Sequence, residues 1–312
     1  MPLDAKVRSI LDAQAAKHAR PLTRITPEEA RGRVEEIVAA VRLTDLPQVR
    51  VADINIPGPG GAIPARVYRP EKQGVFPAVV HFHGGGWVMG TLDSHDPFCR
   101  YLCGAADAVV VSVDYRLAPE HRFPAAVEDS EAAVLYVLDH AAEFSADPHA
   151  VLVSGDSAGG NLAAVVALRL RGRKKLRGQI LLFPITDHYS SAYPSYEENA
   201  KGYGLERDGM IWFWNHYLPH PQEIHHPDAS PLRAADLSGL PPALVVTGEY
   251  DVLRDEGVKY AERLKEAGVP VTHLHYDDMH HNFCVWPLTV GALKQSREAI
   301  AAMAEWIQAA AR

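Results

Sequence analysis

The sequence predicts an α/β protein whose central sheet is mostly parallel and covered by helices on both faces. From residue 51 onwards, short β-like runs alternate with segments of helical periodicity, which is the pattern of parallel strands joined by helices. The run at 108–115 has valine at four positions, as expected for a strand buried on both faces. At roughly 150 residues per domain, the 312 residues suggest two domains, or one large α/β domain with an elaboration.

Two helices are predicted before the first strand. The first covers residues 4–19, where apolar residues recur at helical spacing. The second begins at a capping box formed by Thr26 and Glu29, with Pro27 at the first helical position. Neither helix leads into a strand in the βαβ manner, so we expect residues 1–48 to be an N-terminal helical appendage.

Eight strands are predicted along the rest of the chain. They lie at residues 51–56, 65–68, 78–82, 108–115, 151–154, 179–183, 243–247 and 271–276. Helices are predicted between them at about 120–140, 160–172 and 255–267. The interval 188–226 breaks the alternation and is rich in tyrosine and tryptophan. Because ligands bind at the carboxyl ends of parallel strands, we expect this interval to be an insertion that covers those ends as a lid.

Charge and composition exclude several classes of function. The net charge of −8 argues against nucleic acid or anionic membranes as partners, since both require clustered lysine and arginine. The three cysteines complete neither a disulfide framework nor a zinc motif, so we expect buried or semi-buried thiols and no metal. The N-terminal residues lack the apolar segment of a signal peptide, and no apolar stretch approaches ~20 residues. We therefore expect a soluble cytoplasmic protein without a membrane span.

Residues 155–159, GDSAG, fit the G-x-S-x-G pattern of a nucleophile elbow. The pattern alone is weak, but an apolar strand enters it and an apolar helix leaves it. In such an elbow the serine, here Ser157, occupies a strained turn that lifts its Oγ above the sheet. The alternative is a serine in an ordinary glycine-rich turn before a helix; the strand, turn and helix context favours the nucleophile.

Three consecutive glycines follow the third predicted strand, in the sequence HGGGW that begins at His83. A phosphate-binding loop is a poor match because no Gly-Lys-Ser/Thr follows. Paired with Ser157, the loop fits an oxyanion hole built from the backbone N–H groups of Gly84, Gly85 and Ala158. His83 is then expected to hold the loop by hydrogen bonding and not to act as the base.

A serine nucleophile needs a base and an orienting carboxylate, which follow a nucleophile elbow in the order Asp/Glu, then His. Asp251 lies just beyond the seventh predicted strand, and Glu249 and Asp255 are its rivals. His281 follows the eighth predicted strand, and His280 is its immediate competitor. Spacing alone does not decide between the members of either set.

Five stretches, taken in chain order, are distinctive. They are HGGGW at 83–87, DYRLAPEHRFPAA at 114–126, GDSAGGN at 155–161, ENAKGYGLERDGMIWFW at 198–214 and DVLRDEG at 251–257. Together they resemble the hormone-sensitive-lipase-like family of microbial carboxylesterases, in its GDSAG branch. The resemblance covers nearly the whole chain. It implies an α/β-hydrolase fold with a catalytic domain at 49–187 and 227–312, and a helical cap formed by 1–48 and 188–226.

The resemblance also implies the functional residues. These are the nucleophile Ser157, the orienting acid Asp251, the base His281 and the oxyanion donors Gly84, Gly85 and Ala158. The family pattern Y-x-G-M-x-H-G-F is altered here, because Asp278 and Asn282 replace its glycines. Asparagine and aspartate tolerate left-handed backbone angles better than other residues, so we expect the loop to keep its path.

The implied activity is hydrolysis of short- to medium-chain acyl esters through an acyl-enzyme, with no cofactor and a small-molecule ester as the partner. Trp87, Phe213 and Trp214 are expected to line an apolar acyl pocket, although large aromatics at helical spacing more often serve packing. Two alternatives are a catalytically silent small-molecule receptor on the same fold, and a hydrolase of amides or lactones. Self-association as a homodimer stays open.

Overall fold

The computed structural model describes residues 1–17, 20–41, 43 and 45–312, and it is built around an eight-stranded sheet. In chain order the strands are β1 (Val49–Gly58), β2 (Gly61–Pro70), β3 (Phe76–Phe82), β4 (Val109–Val113), β5 (Ala146–Asp156), β6 (Gly178–Leu182), β7 (Ala243–Tyr250) and β8 (Val271–His280). Their order across the sheet is β1-β2-β4-β3-β5-β6-β7-β8.

Parallel pairing dominates this sheet, as predicted. Strands β3 to β8 are parallel, while β1 and β2 form an antiparallel hairpin that joins the sheet through β4. Strand β3 has β4 on one side and β5 on the other, and Phe82 at the end of β3 is level with Gly155 near the end of β5. The loops that follow β3 and β5 therefore leave the sheet side by side, at a crevice where α/β proteins bind ligands.

Helices cover both faces of the sheet. They are α1 (Ala5–Lys17), α2 (Pro27–Ala40), α3 (Leu92–Ala106), α4 (Ala125–Asp139), α5 (Ala158–Leu170), α6 (Ser195–Glu198), α7 (Arg207–Tyr217), α8 (Arg254–Glu266) and α9 (Lys294–Ala311). Helices α3 and α9 are absent from the sequence prediction. In α3 the internal Pro97 and two buried polar residues, Ser94 and His95, obscure the apolar stripe.

Each of the eight predicted strands is present, with ends shifted by several residues. The change that matters most is in β8, which was expected to end at residue 276 and continues to His280. A register shift between Gly248 and Tyr250 lets β7 and β8 pair again at Tyr250 and His280. His281 consequently follows the strand directly.

The central strands contribute to an apolar core on each face of the sheet. Within β4, Val109, Val111 and Val113 belong to the larger core and Val110 belongs to the other. All four side chains are fully buried. The continuous valine run thus reflects a strand that is covered on both sides.

The N-terminal segment is attached to the sheet domain by specific hydrogen bonds. The predicted capping box is present at the start of α2, with Thr26 and Glu29 each accepting the other's backbone N–H. Further along α2, the Arg31 guanidinium donates to the carbonyls of Val88 and Ala118 at 2.8 and 2.9 Å. These bonds fix α2 against the segments that follow β3 and β4.

The three cysteines are buried free thiols, as predicted. Within the described part of the chain, no helix combines the length and the apolarity that crossing a membrane requires.

Candidate active site

Ser157 occupies a sharp turn between β5 and α5. Its backbone angles, φ 55° and ψ −117°, lie where non-glycine residues are rarely found, as expected of a nucleophile elbow. A Cβ at Gly155 would overlap the carbonyl of Gly159, and a Cβ at Gly159 would overlap that of Phe82. Both positions therefore require glycine. The backbone N–H of Ser157 donates to the Leu182 carbonyl in β6 at 2.9 Å, which fixes the turn.

A histidine and a carboxylate meet at the carboxyl ends of β7 and β8. His281 Nδ1 lies 2.7 Å from Asp251 Oδ2, and both side chains are buried. Because a carboxylate only accepts hydrogen bonds, Nδ1 carries the proton and Nε2 is left with a lone pair. The other oxygen of Asp251 accepts the N–H of Leu253 at 2.9 Å, which fixes the carboxylate.

The two rival carboxylates have other partners. Glu249 bonds Arg254 at 2.7 Å. Asp255 accepts from Arg254 at 2.7 Å and from the backbone N–H of Ser195 at 2.8 Å. Of these three described acids, Asp251 is the one in contact with His281.

The surroundings of His281 also distinguish it from its neighbour, His280. His280 is buried, and its Nδ1 has no hydrogen-bond partner among the described residues. Burial lowers the pKa of His280 to about 3, so this imidazole is neutral. Asn282 adopts the left-handed angle expected of it, with φ 65°. Asp278 lies within β8, where the conformational freedom of glycine is not needed.

A cavity of about 690 Å³ lies over the crevice. Ser157 and His281 both line it, together with Gly85 and Gly86 of the glycine loop. Its apolar lining residues from the N-terminal segment and the insertion include Leu11, Leu22, Leu205 and Phe213. The cavity thus joins the candidate nucleophile and base with apolar side chains that a substrate would contact.

Of the three aromatic residues predicted for the acyl pocket, Phe213 lines the cavity and the two tryptophans do not. Trp87 is fully buried and stacks on Tyr217, with ring centroids 4.0 Å apart. Trp214 is also buried and packs against Trp87 at 4.8 Å. The prediction is wrong for Trp87 and Trp214. Successive residues of a helix point about 100° apart, so Phe213 faces the cavity while its neighbour Trp214 faces the core.

Hydrogen bonds fix the direction of each peptide group in the glycine loop after β3. The Gly84 carbonyl accepts from His83 Nδ1 at 2.8 Å, and the Gly85 carbonyl accepts the N–H of Val88 at 3.1 Å. In a trans peptide the N–H points away from the carbonyl of the preceding residue. The N–H groups of Gly85 and Gly86 therefore point away from these internal bonds.

Gly84 is not free to act as an oxyanion donor, which corrects the sequence prediction. Its N–H donates to Oδ1 of the buried Asp156 at 3.0 Å. Sequence reasoning did not assign Gly86, whose N–H is directed like that of Gly85. The signal that could have found it is the third glycine of HGGG, but the peptide directions depend on tertiary contacts that spacing does not reveal. Gly85 and Ala158 remain candidate donors.

His83 holds the loop, as predicted. Its ring stacks on Tyr115 at 4.4 Å, and its Nδ1 donates to the Gly84 carbonyl. Burial lowers the pKa of His83 to about 4, which keeps the ring neutral.

One group of described side chains has the geometry of a metal site. His81, His95 and Asp156 are buried and bring ligand atoms within 4.8 Å of one another. Asp156 Oδ1 already accepts the N–H of Gly84, and His95 Nε2 lies 3.1 Å from the same oxygen. Hydrogen bonds therefore satisfy this carboxylate without a cation.

We expect the free energy of unfolding to decrease as the pH falls below about 6.5. Burial lowers the pKa of His81 and His280 to about 3 and that of His83 to about 4, from an ordinary value of 6.5. Between these values these three histidines bind up to three more protons in the unfolded chain than in the folded chain, and their contribution lowers the free energy of unfolding by at most about 4 kcal/mol per pH unit. Urea unfolding at pH 7.5, 6.0 and 5.0 measures the effect. Constant stability across that range would show that these histidines are not buried in the neutral form.

Comparisons with known proteins agree with this architecture. The profile of the alpha/beta hydrolase fold family matches residues 79–285. The carboxylic ester hydrolase LipN of Mycobacterium tuberculosis is 44% identical over 264 residues, which cover 82% of this chain and 70% of that protein. The carboxylesterase NlhH of the same species is 42% identical over 276 residues, covering 86% of each chain.

Solved structures show the same fold over the full length. A thermostable esterase from Pseudomonas putida superposes with a TM-score of 0.95 at 36% sequence identity, covering 100% of this chain and 98% of that one. The chain therefore belongs to the alpha/beta hydrolase fold family, in its hormone-sensitive-lipase-like branch.

Proposed function

We propose that this protein is a serine carboxylesterase that works through an acyl-enzyme intermediate. The observation that carries the proposal is that Ser157 and His281 line one cavity, while Asp251 bonds the other nitrogen of His281 at 2.7 Å. The names of the relatives, carboxylic ester hydrolase and carboxylesterase, support the same chemistry.

The reaction has two acyl-transfer steps. Ser157 Oγ attacks the ester carbonyl while His281 Nε2 accepts its proton, and Asp251 stabilises the imidazolium that forms. The C–O bond to the alcohol then breaks, and His281 returns the proton to the leaving alcohol. A water molecule activated by His281 attacks the acyl group in the same way, which releases the carboxylic acid and regenerates Ser157. No cofactor takes part in these steps.

The oxyanion of each tetrahedral intermediate needs preorganised donors. The N–H groups of Gly85 and Gly86 are two of them. The third is the N–H of Ala158, the first residue of α5, where helical N–H groups have no intrahelical partner and the dipole favours negative charge. The proposed donors are therefore Gly85, Gly86 and Ala158, in place of the Gly84, Gly85 and Ala158 predicted from the sequence.

Replacing Gly85 by proline is expected to lower kcat by ~10²–10³-fold. Proline removes the donor N–H, and it cannot adopt the φ of 115° found here. The rate is measured with p-nitrophenyl butyrate, alongside the melting temperature. Gly172→Pro is the matched control, because Gly172 has φ 73° but is exposed and remote from the cavity. If folded Gly85→Pro retained full activity, the donors would lie elsewhere.

The cavity is large enough for an acyl group of short to medium length. A volume of about 690 Å³ has to hold the acyl group and the alcohol together. Phe213, Leu205 and Leu11 provide apolar surface for the acyl chain.

Initial rates with p-nitrophenyl esters from acetate to palmitate test the proposed function. We expect kcat/KM to be highest for a short or medium chain and roughly tenfold or more lower for palmitate. Ester binding without turnover for the whole series would overturn the proposal in favour of a silent receptor. Preferential cleavage of the matched amides or lactones would favour the other alternative.

We also propose that residues 1–48 and 188–226 form a cap over a catalytic domain made of 49–187 and 227–312. Support comes from the cavity, since residues from both segments line it. The cytoplasmic location, the exclusion of nucleic acid as a partner and a homodimer remain predictions from the sequence.

A further inference from the structure

The peptide group between His83 and Gly84 is held from both sides. Its carbonyl accepts the phenolic O–H of Tyr115 at 2.7 Å, and its N–H donates to Oδ1 of Asp156 at 3.0 Å. All four residues are buried. This peptide plane therefore cannot rotate without leaving buried polar groups unpaired, which is unfavourable.

Asp156 is in turn held by buried histidines. His95 Nε2 lies 3.1 Å from one carboxylate oxygen and 3.3 Å from the other, and His81 Nε2 lies 3.6 Å from the first. Burial raises the pKa of Asp156, but its interactions with the three neighbouring histidines, chiefly His95 and also His81 and His83, together lower it by more, so this pKa lies below its ordinary value. An ionised carboxylate is a stronger acceptor for the Gly84 N–H than a neutral acid.

The absence of a side chain at Gly84 is independent evidence that this contact shapes the loop. Gly84 does not have the left-handed φ that requires glycine, whereas Gly85 and Gly86 have φ 115° and 62°. A Cβ at Gly84 would, however, overlap the carboxylate of Asp156. Glycine is needed at this position because the carboxylate is so close.

We propose that Asp156, supported by His95, is a positioning residue for ester hydrolysis. By fixing the peptide between His83 and Gly84, it sets the direction of the next two peptides, whose N–H groups are the oxyanion donors. Asp156 acts through the loop, because its buried carboxylate is bonded to the Gly84 N–H. The inference rests on the proposed function and identifies the buried carboxylate that organises its oxyanion hole.

Loss of the Asp156 carboxylate should lower kcat, because the peptide that it fixes directly precedes the two peptides whose N–H groups are the oxyanion donors. Without its acceptor, the Gly84 N–H turns toward another partner, and the adjoining Gly85 and Gly86 N–H groups move off the oxyanion. Loss of a single oxyanion donor lowers kcat by ~10²–10³-fold, while the ground-state ester depends little on these donors. The change should therefore appear in kcat and leave KM nearly constant.

A double-mutant cycle between the two contacting residues tests the inference. Asp156→Ala removes the acceptor, and Gly84→Ala introduces a methyl group that overlaps the carboxylate. Each is expected to lower kcat for p-nitrophenyl butyrate by roughly 10²-fold, with KM changed less than about threefold. In the double variant the overlap is gone, so kcat should be within about threefold of the lower single variant. Independent effects would instead multiply to roughly 10⁴-fold.

Two further variants separate positioning from general stability. Asp156→Asn keeps an oxygen that can accept the Gly84 N–H, so it should recover most of the kcat lost in Asp156→Ala. Glu256→Gln is the matched control, because Glu256 is also a fully buried carboxylate that accepts backbone N–H groups, those of Thr186 and Asp187 at 2.7 and 3.3 Å. It should change the melting temperature with kcat nearly unchanged.

The rate of inactivation by a p-nitrophenyl alkylphosphonate provides a second readout, since formation of the phosphonyl adduct also uses the oxyanion donors. We expect this rate to fall in parallel with kcat across the Asp156 and Gly84 variants. Folded Asp156→Ala or Gly84→Ala enzyme with kcat and inactivation rates within threefold of wild type, or single effects that multiply, would overturn this inference alone. A wild-type enzyme without ester turnover would overturn the proposed function as well. If Asp156→Ala does not fold, Gly84→Ala decides the outcome: a folded Gly84→Ala enzyme with wild-type kcat would overturn the inference.

Discussion

Ser157→Ala is expected to lower kcat for p-nitrophenyl ester hydrolysis on the order of 10⁶-fold, because the proposed acyl-enzyme forms on the Ser157 hydroxyl. The turn that lifts Ser157 is fixed by its flanking glycines and by the bond from its N–H to Leu182. Alanine fits the same backbone, so substrate binding and the melting temperature should change little. Stopped assays with concentrated enzyme over hours are needed to measure the residual rate.

Ser130→Ala is the matched control for Ser157→Ala. Ser130 is buried as well, but among the described residues its hydroxyl bonds only the Ala126 carbonyl of its own helix, α4, at 2.7 Å. We expect its kcat to match that of wild type. Removal of a nucleophile leaves a residual ~10³–10⁴-fold acceleration over water from the oxyanion hole and binding. Activity in Ser157→Ala at a tenth of the wild-type rate would therefore point to a different nucleophile.

His281→Gln is expected to lower kcat by a similar factor, on the order of 10⁶-fold. Glutamine fills much of the space of the imidazole but cannot accept the serine proton and return it to the alcohol. His280→Gln should reduce kcat by no more than about tenfold, because His280 does not contact Asp251. Rates for the two variants with p-nitrophenyl butyrate give the comparison. A larger loss in His280→Gln than in His281→Gln would exchange the roles of the two histidines.

Local patterns were sufficient to predict the fold class and the strained turn at Ser157. The elbow is encoded within a few residues, because both glycines are required by backbone contacts with the strand and helix on either side. Alternation of strands and helices likewise follows from local periodicity. Helices α3 and α9 were missed; in α3 the apolar stripe is interrupted by a proline and by buried polar residues.

Residues whose selection depends on tertiary contacts were harder to predict. The sequence places Asp251 and His281 after the serine in the order acid, then histidine, but their rivals lie within four residues of them. The choice depends on the register shift that extends β8 to His280, and on the 2.7 Å contact between Asp251 and His281. The register shift and this contact both depend on pairing between strands. The spacing of residues along one strand does not determine that pairing.

The errors have the same physical origin. Gly84 was assigned as an oxyanion donor because it follows the strand, yet its N–H is taken by Asp156, which lies 72 positions further along the chain. Trp87 and Trp214 were assigned to the acyl pocket because they are large and apolar. Both tryptophans are buried in the core, and Phe213 is the one of the three that lines the cavity. Which side of α7 faces the cavity depends on how this helix packs against its neighbours.

Peptide mapping after reaction with a p-nitrophenyl alkylphosphonate tests the identity of the nucleophile most directly. This reagent transfers its phosphonyl group to an activated serine and releases p-nitrophenolate, leaving an adduct that water displaces very slowly. We predict stoichiometric labelling, loss of ester turnover in proportion to labelling, and an adduct mass on Ser157 in the peptide that contains GDSAG. Labelling of another residue, or undiminished ester turnover in fully labelled enzyme, would contradict the assignment of Ser157 as the residue that is acylated.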